Sequence, residues 1–167
     1  TIFYWALSLG KVFKQTPKPS LLMKIKYKIA SKLVYSKLKT KTGGRLRFFV
    51  SGGAALSKDL AEFFYGLDLL IIEGYGLTEA SPVIACNRLD AFKFGSVGKV
   101  LPSLEAKLAS DGELLVKGDS VMKGYFQQDE ATAQVIKDGW LHTGDIAGID
   151  EEGFVKRSEE HTSELQS

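Results

Sequence analysis

Acidic residues are missing from the first 58 positions of this chain, which hold 13 Lys or Arg and no Asp or Glu. The other 9 basic residues share the remainder with all 20 acids, so a net charge of +2 conceals a basic front and an acidic rest. Such a block is either a solvated helix face or a surface for an anionic partner. The lysines lack the interleaved aromatic residues of a nucleic-acid groove, so no nucleic acid is expected and an anionic membrane surface is the partner to consider. Cysteine is scarce as well. The single Cys86 excludes an internal disulfide and fits a reducing compartment, so a cytoplasmic location is expected, with peripheral membrane contact the companion expectation of the basic block. No apolar run reaches the ~20 residues of a membrane span. Four prolines and no low-complexity tract argue against disorder. Neither Cys86 nor His142 has a partner at metal or triad spacing, and both read as structural. The chain opens on Thr1 instead of Met, as a piece of a longer protein would.

What is present suits one ordinary core: 167 residues, 44% hydrophobic and 25% charged. Residues 1–14 suggest a short helix with Trp5 and Leu9 on one face. Residues 21–41 suggest a longer one, with Leu22, Ile25, Ile29, Leu33 or Val34, and Leu38 at three- and four-residue steps. Ser20 caps its start, and Gly43 or Gly44 takes the turn that ends it. A buried strand over 46–50 and another over 69–72 flank a helix capped by Ser57, with Leu60, Phe63, Phe64 and Leu67 toward the core. This strand–helix–strand order reads as parallel α/β. Beyond Gly95 the pattern changes to hairpins about Ser110-Asp111-Gly112 and about residues 150–153, with a short helix between them that Asp129 caps and that runs through Ile136. The expected divisions are 1–44, a basic amphipathic helical segment; 45–94, an α/β part; and 95–156, a small antiparallel or barrel-like β subdomain.

The densest chemistry follows the second strand, in Glu73-Gly74-Tyr75-Gly76-Leu77-Thr78-Glu79-Ala80-Ser81-Pro82. A strand ending in this turn presents an aromatic ring, a hydroxyl and a carboxylate at the carboxyl edge of a sheet, where open α/β folds bind ligands. Those are parts for ATP and Mg²⁺. Around it, in order, stand Ser51-Gly52-Gly53-Ala54-Ala55-Leu56-Ser57, Gly95-Ser96-Val97-Gly98-Lys99, Gly112-Glu113-Leu114 with Val121-Met122-Lys123-Gly124-Tyr125, and Trp140-Leu141-His142-Thr143-Gly144-Asp145. Taken together, the set resembles the adenylate-forming (AMP-forming) acyl-CoA synthetases and ligases. The approach Gly43-Gly44-Arg45-Leu46-Arg47-Phe48-Phe49-Val50 resembles the long-chain fatty acid branch.

The resemblance implies that the chain is part of the large N-terminal domain of such an enzyme. It implies activation of a fatty acid by ATP to acyl-AMP, followed by transfer to CoA. Thr78 and Glu79 would be catalytic, Thr78 on the α-phosphate and Glu79 on Mg²⁺, although an N-cap and a first-turn glutamate are the structural alternatives. Tyr75, between Gly74 and Gly76, would meet adenine or else sit in the core. Gly52, Gly53 and Ala54 would line the site with backbone. Asp145 would accept both ribose hydroxyls, or simply make an Asx turn. Two departures stand out. The family's Ser/Thr/Gly-rich loop ending in Pro-Lys-Gly has only Thr40-Lys41-Thr42-Gly43-Gly44 as its nearest match, and the glycine-arginine segment expected after Gly153-Phe154 is replaced. All eleven residues from Arg157 to Ser167 match one frame of a common DNA-sequencing adapter, so the native sequence is expected to stop at Lys156. The chain as it stands is therefore expected to be inactive. Adenylation of an aryl, short-chain or amino acid, and a non-catalytic module for anionic membrane surfaces, remain the alternatives.

Overall fold

Ser20 stands just outside the first long run of helix formers and accepts a hydrogen bond from Met23 N–H at 3.3 Å, a cap worth about 1 kcal/mol. Helix α2 (Leu21–Ala30) starts there and passes through a π-helical turn, Ser31–Tyr35, into α3 (Ser36–Lys41). Gly43 and Gly44 end it with φ of +86° and +73°. In this computed structural model residues 1–158 are described, and they form two compact units. One comprises Thr1–Val50 with Leu56–Ile72, and the other Ser51–Ala55 with the chain from Glu73 onward.

The first unit is built on α1 (Ile2–Gln15), α2, α3 and α4 (Lys58–Gly66). Its core is Ala6, Ala30, Val34 and Tyr35, with Phe3, Leu9, Tyr27 and Leu38 packed on it. The π turn lets the consecutive Val34 and Tyr35 both point inward, and the Tyr35 hydroxyl donates to the Ala6 carbonyl at 2.6 Å. The expected apolar face of the long helix is thereby split. Val34 and Leu38 pack, whereas Leu22, Ile25, Ile29 and Leu33 are 41–62% exposed. The reason is steric: Ala30, fully buried, lets α1 approach on the side where the side chain is small.

In α4 the Ser57 hydroxyl accepts from Leu60 N–H at 3.3 Å, as expected of a cap. Ala61, Gly66 and the following Leu67 are buried, Phe63 and Phe64 half-buried, and Leu60, expected inside, is 45% exposed. After α4 the chain turns at Asp68, φ +65°. Its carboxylate takes Lys14 Nζ at 2.8 Å, Lys39 Nζ and the Tyr27 hydroxyl at 3.1 Å. Burial acts to raise the Asp68 carboxyl, but the two lysines outweigh it and hold it below the usual range. The first strand, β1 (Phe49–Ser51), is shorter than the sequence suggested, and Phe49 and Val50 are exposed instead of buried. Phe49 N–H donates to the Leu70 carbonyl at 2.8 Å.

The second unit holds an antiparallel sheet in the order β2 (Ile71–Gly76), β3 (Val83–Cys86), β4 (Gly98–Val100), β9 (Phe154–Arg157), β8 (Trp140–Ile149), β6 (Glu113–Gly118), β5 (Leu104–Leu108). A two-residue strand, β7 (Ile136–Lys137), follows the short helix α5 (Asp129–Val135) and pairs with β8. Ile84, Leu114, Val116, Leu141 and Val155 are its fully covered centre. Both hairpins read from the sequence are present: Ala109 N–H closes the β5–β6 turn on Glu113 O at 2.8 Å, and Asp150 N–H closes β8–β9 on Phe154 O at 3.0 Å. With its helices and sheet the chain is a mixed α/β fold.

Three boundaries differ from expectation. β2 runs through Gly76, so Glu73-Gly74-Tyr75-Gly76 is strand and not turn, because β3 comes back to pair Tyr75 with Ala85. β8 starts at Trp140, which places Thr143-Gly144-Asp145 inside a strand. Helix α5 is capped at Gln128, one residue before Asp129. At the far end Arg157 pairs with Ala147 in β9. Backbone pairing accepts any residue but proline there, so it is indifferent to where the native sequence stops. The rest of that tail, from 159 onward, lies outside the described residues. No helix among the described residues is long and apolar enough to cross a membrane.

Candidate functional site

The end of β2 is shaped by a steric requirement. Its register with β3 shifts between Tyr75 and Gly76. A Cβ at Gly76 would lie 1.7 Å from the Pro82 carbonyl oxygen, so only glycine lets the chain close here. Leu77 then leads into a single 3₁₀ turn, Thr78–Ala80. Thr78 is exposed and Glu79 half-buried. Glu79 is held twice: its carbonyl accepts from Met122 N–H at 2.7 Å, and its Oε1 accepts from the Tyr125 hydroxyl at 2.9 Å. The same bond shifts the Tyr125 hydroxyl upward.

Tyr75 is only 6% exposed, and its ring belongs to the core cluster with Ile84, Leu114 and Val116. Its hydroxyl donates to Asp145 Oδ2 at 2.6 Å, across 70 residues of sequence. Burial, then the Asp145 carboxylate, pushes the Tyr75 hydroxyl well above the ordinary tyrosine range. The Tyr75 ring is buried, and its hydroxyl addresses the Asp145 carboxylate.

Asp145 stands on a bulge. On β6 Glu113 and Leu115 are two residues apart, yet their β8 partners are Ile146 and His142, four apart. The excess is taken up by Thr143, Gly144 (φ +73°) and Asp145. Thr143 Oγ1 donates to Leu114 O at 2.7 Å and accepts from Asp145 N–H at 3.2 Å. Glu113 Oε1 accepts from Gly144 N–H at 2.8 Å, and its Oε2 lies 2.7 Å from His142 Nδ1. Arg157 Nη1 is 4.0 Å from Asp145 Oδ1. His142, read as solitary, thus has Glu113 as a partner. Glu113 and Thr143 were not singled out as functional; the available signal was a carboxylate placed directly before the apolar run of β6.

Gly52, Gly53 and Ala54 form an exposed loop after β1. A Cβ at Gly52 would sit 3.4 Å from the Gly74 carbonyl, so this loop meets β2 beside the Tyr75 ring's strand position. Glu79, Glu113, Tyr125, His142, Thr143 and Gly144 line one open cleft of about 320 Å³. Among the described residues no group of three or more His, Cys, Asp or Glu is arranged for a metal ion. A lone half-buried carboxylate such as Glu79 suits a hard cation that takes most of its ligands from phosphate and water.

Residues 13–126 match the family described as AMP-binding enzyme. The chain is 44% identical over 137 residues to the long-chain-fatty-acid–CoA ligase FadD15 of Mycobacterium bovis, covering 82% of this chain and 23% of that protein. It is 45% identical over 123 residues to the long-chain-fatty-acid–CoA ligase of Escherichia coli O6:H1, covering 66% and 22%. Among solved structures, the anthranilate CoA ligase AuaEII in complex with anthranoyl-AMP superposes with a TM-score of 0.63 at 28% identity, over 67% of this chain and 24% of that one. The chain thus spans about a quarter of the length of the relatives it matches.

Proposed function

We propose, from the premise that this chain belongs to the AMP-binding enzyme family, that it supplies the adenine, ribose and metal contacts of a long-chain fatty acid–CoA ligase. The reaction has two steps. A fatty acid carboxylate attacks the α-phosphate of ATP, giving acyl-AMP and pyrophosphate, and the CoA thiolate then displaces AMP. Both partners of the first step are anions, so the site must place donors and positive charge where charge accumulates. Asp145 accepts the ribose hydroxyls. Tyr75 takes one lone pair of Oδ2, and a carboxylate has about four such sites, so acceptors remain for a vicinal diol. Tyr75 with Gly74 and Gly76 borders adenine, and the exposed Thr78 donates to the α-phosphate. Gly52, Gly53 and Ala54 offer backbone to the carboxylate and nucleotide. Glu79, steadied by Tyr125, would hold Mg²⁺, and the ion would supply neutralisation of phosphate charge.

The observation that supports this most is the Tyr75–Asp145 hydrogen bond, which brings two separate motifs to one place. The test is ATP–pyrophosphate exchange by the enzyme carrying this sequence, across a panel of acids. Long-chain fatty acids should give the highest kcat/KM, and Glu79→Gln should abolish exchange. Preference for an aryl, short-chain or amino acid would replace the substrate and keep the chemistry. The polypeptide of these 167 residues should make no acyl-adenylate, since its nearest match to the pyrophosphate-gripping loop is the end of α3. Pyrophosphate release that needs both ATP and fatty acid would refute this.

A second reading, of a surface module for anionic lipid in the cytoplasm, is favoured by one observation. Leu22, Ile25, Ile29 and Leu33 of the long helix are exposed and flanked by Lys26, Lys28 and Lys32. Apolar residues bordered by lysines suit a lipid interface. Sedimentation with vesicles of phosphatidylcholine, with and without phosphatidylserine, checks it, and equal binding to both removes the electrostatic part.

A further inference from the structure

A carboxylate that reads a sugar diol must be held at a fixed height, yet Asp145 sits on a bulge, where the ladder of the sheet is interrupted. The bulge is instead tied down by side chains, and Glu113 provides two of the ties. Its Oε1 takes the Gly144 N–H at 2.8 Å and its Oε2 the His142 ring at 2.7 Å, so it grips the residue before Asp145 and the residue where β8 leaves register. The Glu113 side chain is 16% exposed and that of His142 25%, so water competes poorly for the bond between them, while Gly144 itself is exposed. We propose, building on the ribose reading above, that Glu113 is a positioning residue for nucleotide-sugar recognition. It acts through Gly144 and His142 to set the Asp145 carboxylate, and touches no substrate itself.

The proposal separates the effect of Glu113 from general stability, because it confines that effect to the sugar hydroxyls. In the enzyme carrying this sequence, KM is measured for ATP and for 2′,3′-dideoxy-ATP. Glu113→Ala should raise KM for ATP roughly tenfold, the scale of one lost hydrogen bond to a charged group. It should leave KM for the dideoxy nucleotide and for the fatty acid nearly unchanged. Glu113→Gln should recover most of the loss, since its amide oxygen still accepts from Gly144 and its amide nitrogen can donate to a neutral His142. Combining Glu113→Ala with Asp145→Ala should be no worse than Asp145→Ala alone. Equal losses on both nucleotides, or additive losses in the double variant, would overturn the proposal. If Glu113→Ala does not fold, Glu113→Asp carries the same comparison, with a smaller selective loss expected. An Asp145→Ala enzyme that loses equally on both nucleotides sinks the ribose reading itself. Glu113 is then judged by amide exchange at Gly144 and Asp145, which Glu113→Ala must accelerate and Glu113→Gln must leave slow.

Discussion

Replacing Tyr75 by Phe removes one oxygen and leaves the buried ring in place, so it isolates the hydrogen bond to Asp145. That bond is 2.6 Å long, the donor residue is 6% exposed, and the acceptor side chain is 22% exposed. A bond to an ionised acceptor contributes about 1.5–3 kcal/mol when well buried. Asp145 keeps a wet edge and can rehydrate, so Tyr75→Phe should cost about 1.5 kcal/mol, the low end of that range. Asp145→Ala strands a buried hydroxyl and should cost about 1–3 kcal/mol. Arg157, 4.0 Å from the other carboxylate oxygen, adds little to either figure. The double variant should fall short of the sum, with a coupling energy of about 1–2 kcal/mol. Urea denaturation of the four proteins of the cycle, at one pH and salt concentration, measures it. Additivity within about 0.5 kcal/mol would refute the claim that these two residues hold the two motifs together.

Gly76→Ala drives a Cβ to 1.7 Å from the Pro82 carbonyl and should cost about 2–4 kcal/mol in the same assay. Asp68→Asn leaves Lys14, with a side chain only 15% exposed, without its counter-charge, for an expected loss of about 2 kcal/mol. Because the folded Asp68 carboxyl is held low, its contribution is complete above about pH 3.9, the unfolded value. It fades as pH falls below that, so the wild type and Asp68→Asn should converge in acid. At the other extreme, burial pushes the Tyr35 hydroxyl up to about 12. A raised folded value means full stability below about pH 10, where unfolded tyrosine ionises, and loss as pH climbs toward the folded value. Thermal melts at several pH values through that window should fall more steeply for the wild type than for Tyr35→Phe.

Local rules carried much of the architecture. Ser20 and Ser57 announce their helices through a hydroxyl that can reach a free N–H, and both do so. The glycine turns of both hairpins are equally local, since a turn residue needs only its own φ and its neighbours. The misplacements came where a partner elsewhere overrode the local signal. Residues 73–76 carry two glycines and look like a turn, but β3 supplies them with ladder hydrogen bonds and makes them strand. The long helix has an evident apolar periodicity, yet which residues are covered depends on where α1 can approach, and Ala30 decided that.

The candidate site divides the same way. Residue type and order were enough to single out Tyr75, Thr78, Glu79, the Gly52–Ala54 loop and Asp145, because each group has a chemistry that a short motif displays. Their mutual arrangement was not available from the chain alone. Tyr75 meets Asp145 across 70 residues, and Glu113 reaches the Asp145 bulge only because β6 lies beside β8. Sequence by itself determined the family pattern, the helices and the turns, since those depend on side-chain identity and near neighbours. Tertiary structure alone decided burial, the carboxylate that Tyr75 serves, and the support beneath Asp145. Hydrogen bonds between distant strands and the exclusion of water exist only once the chain has closed on itself.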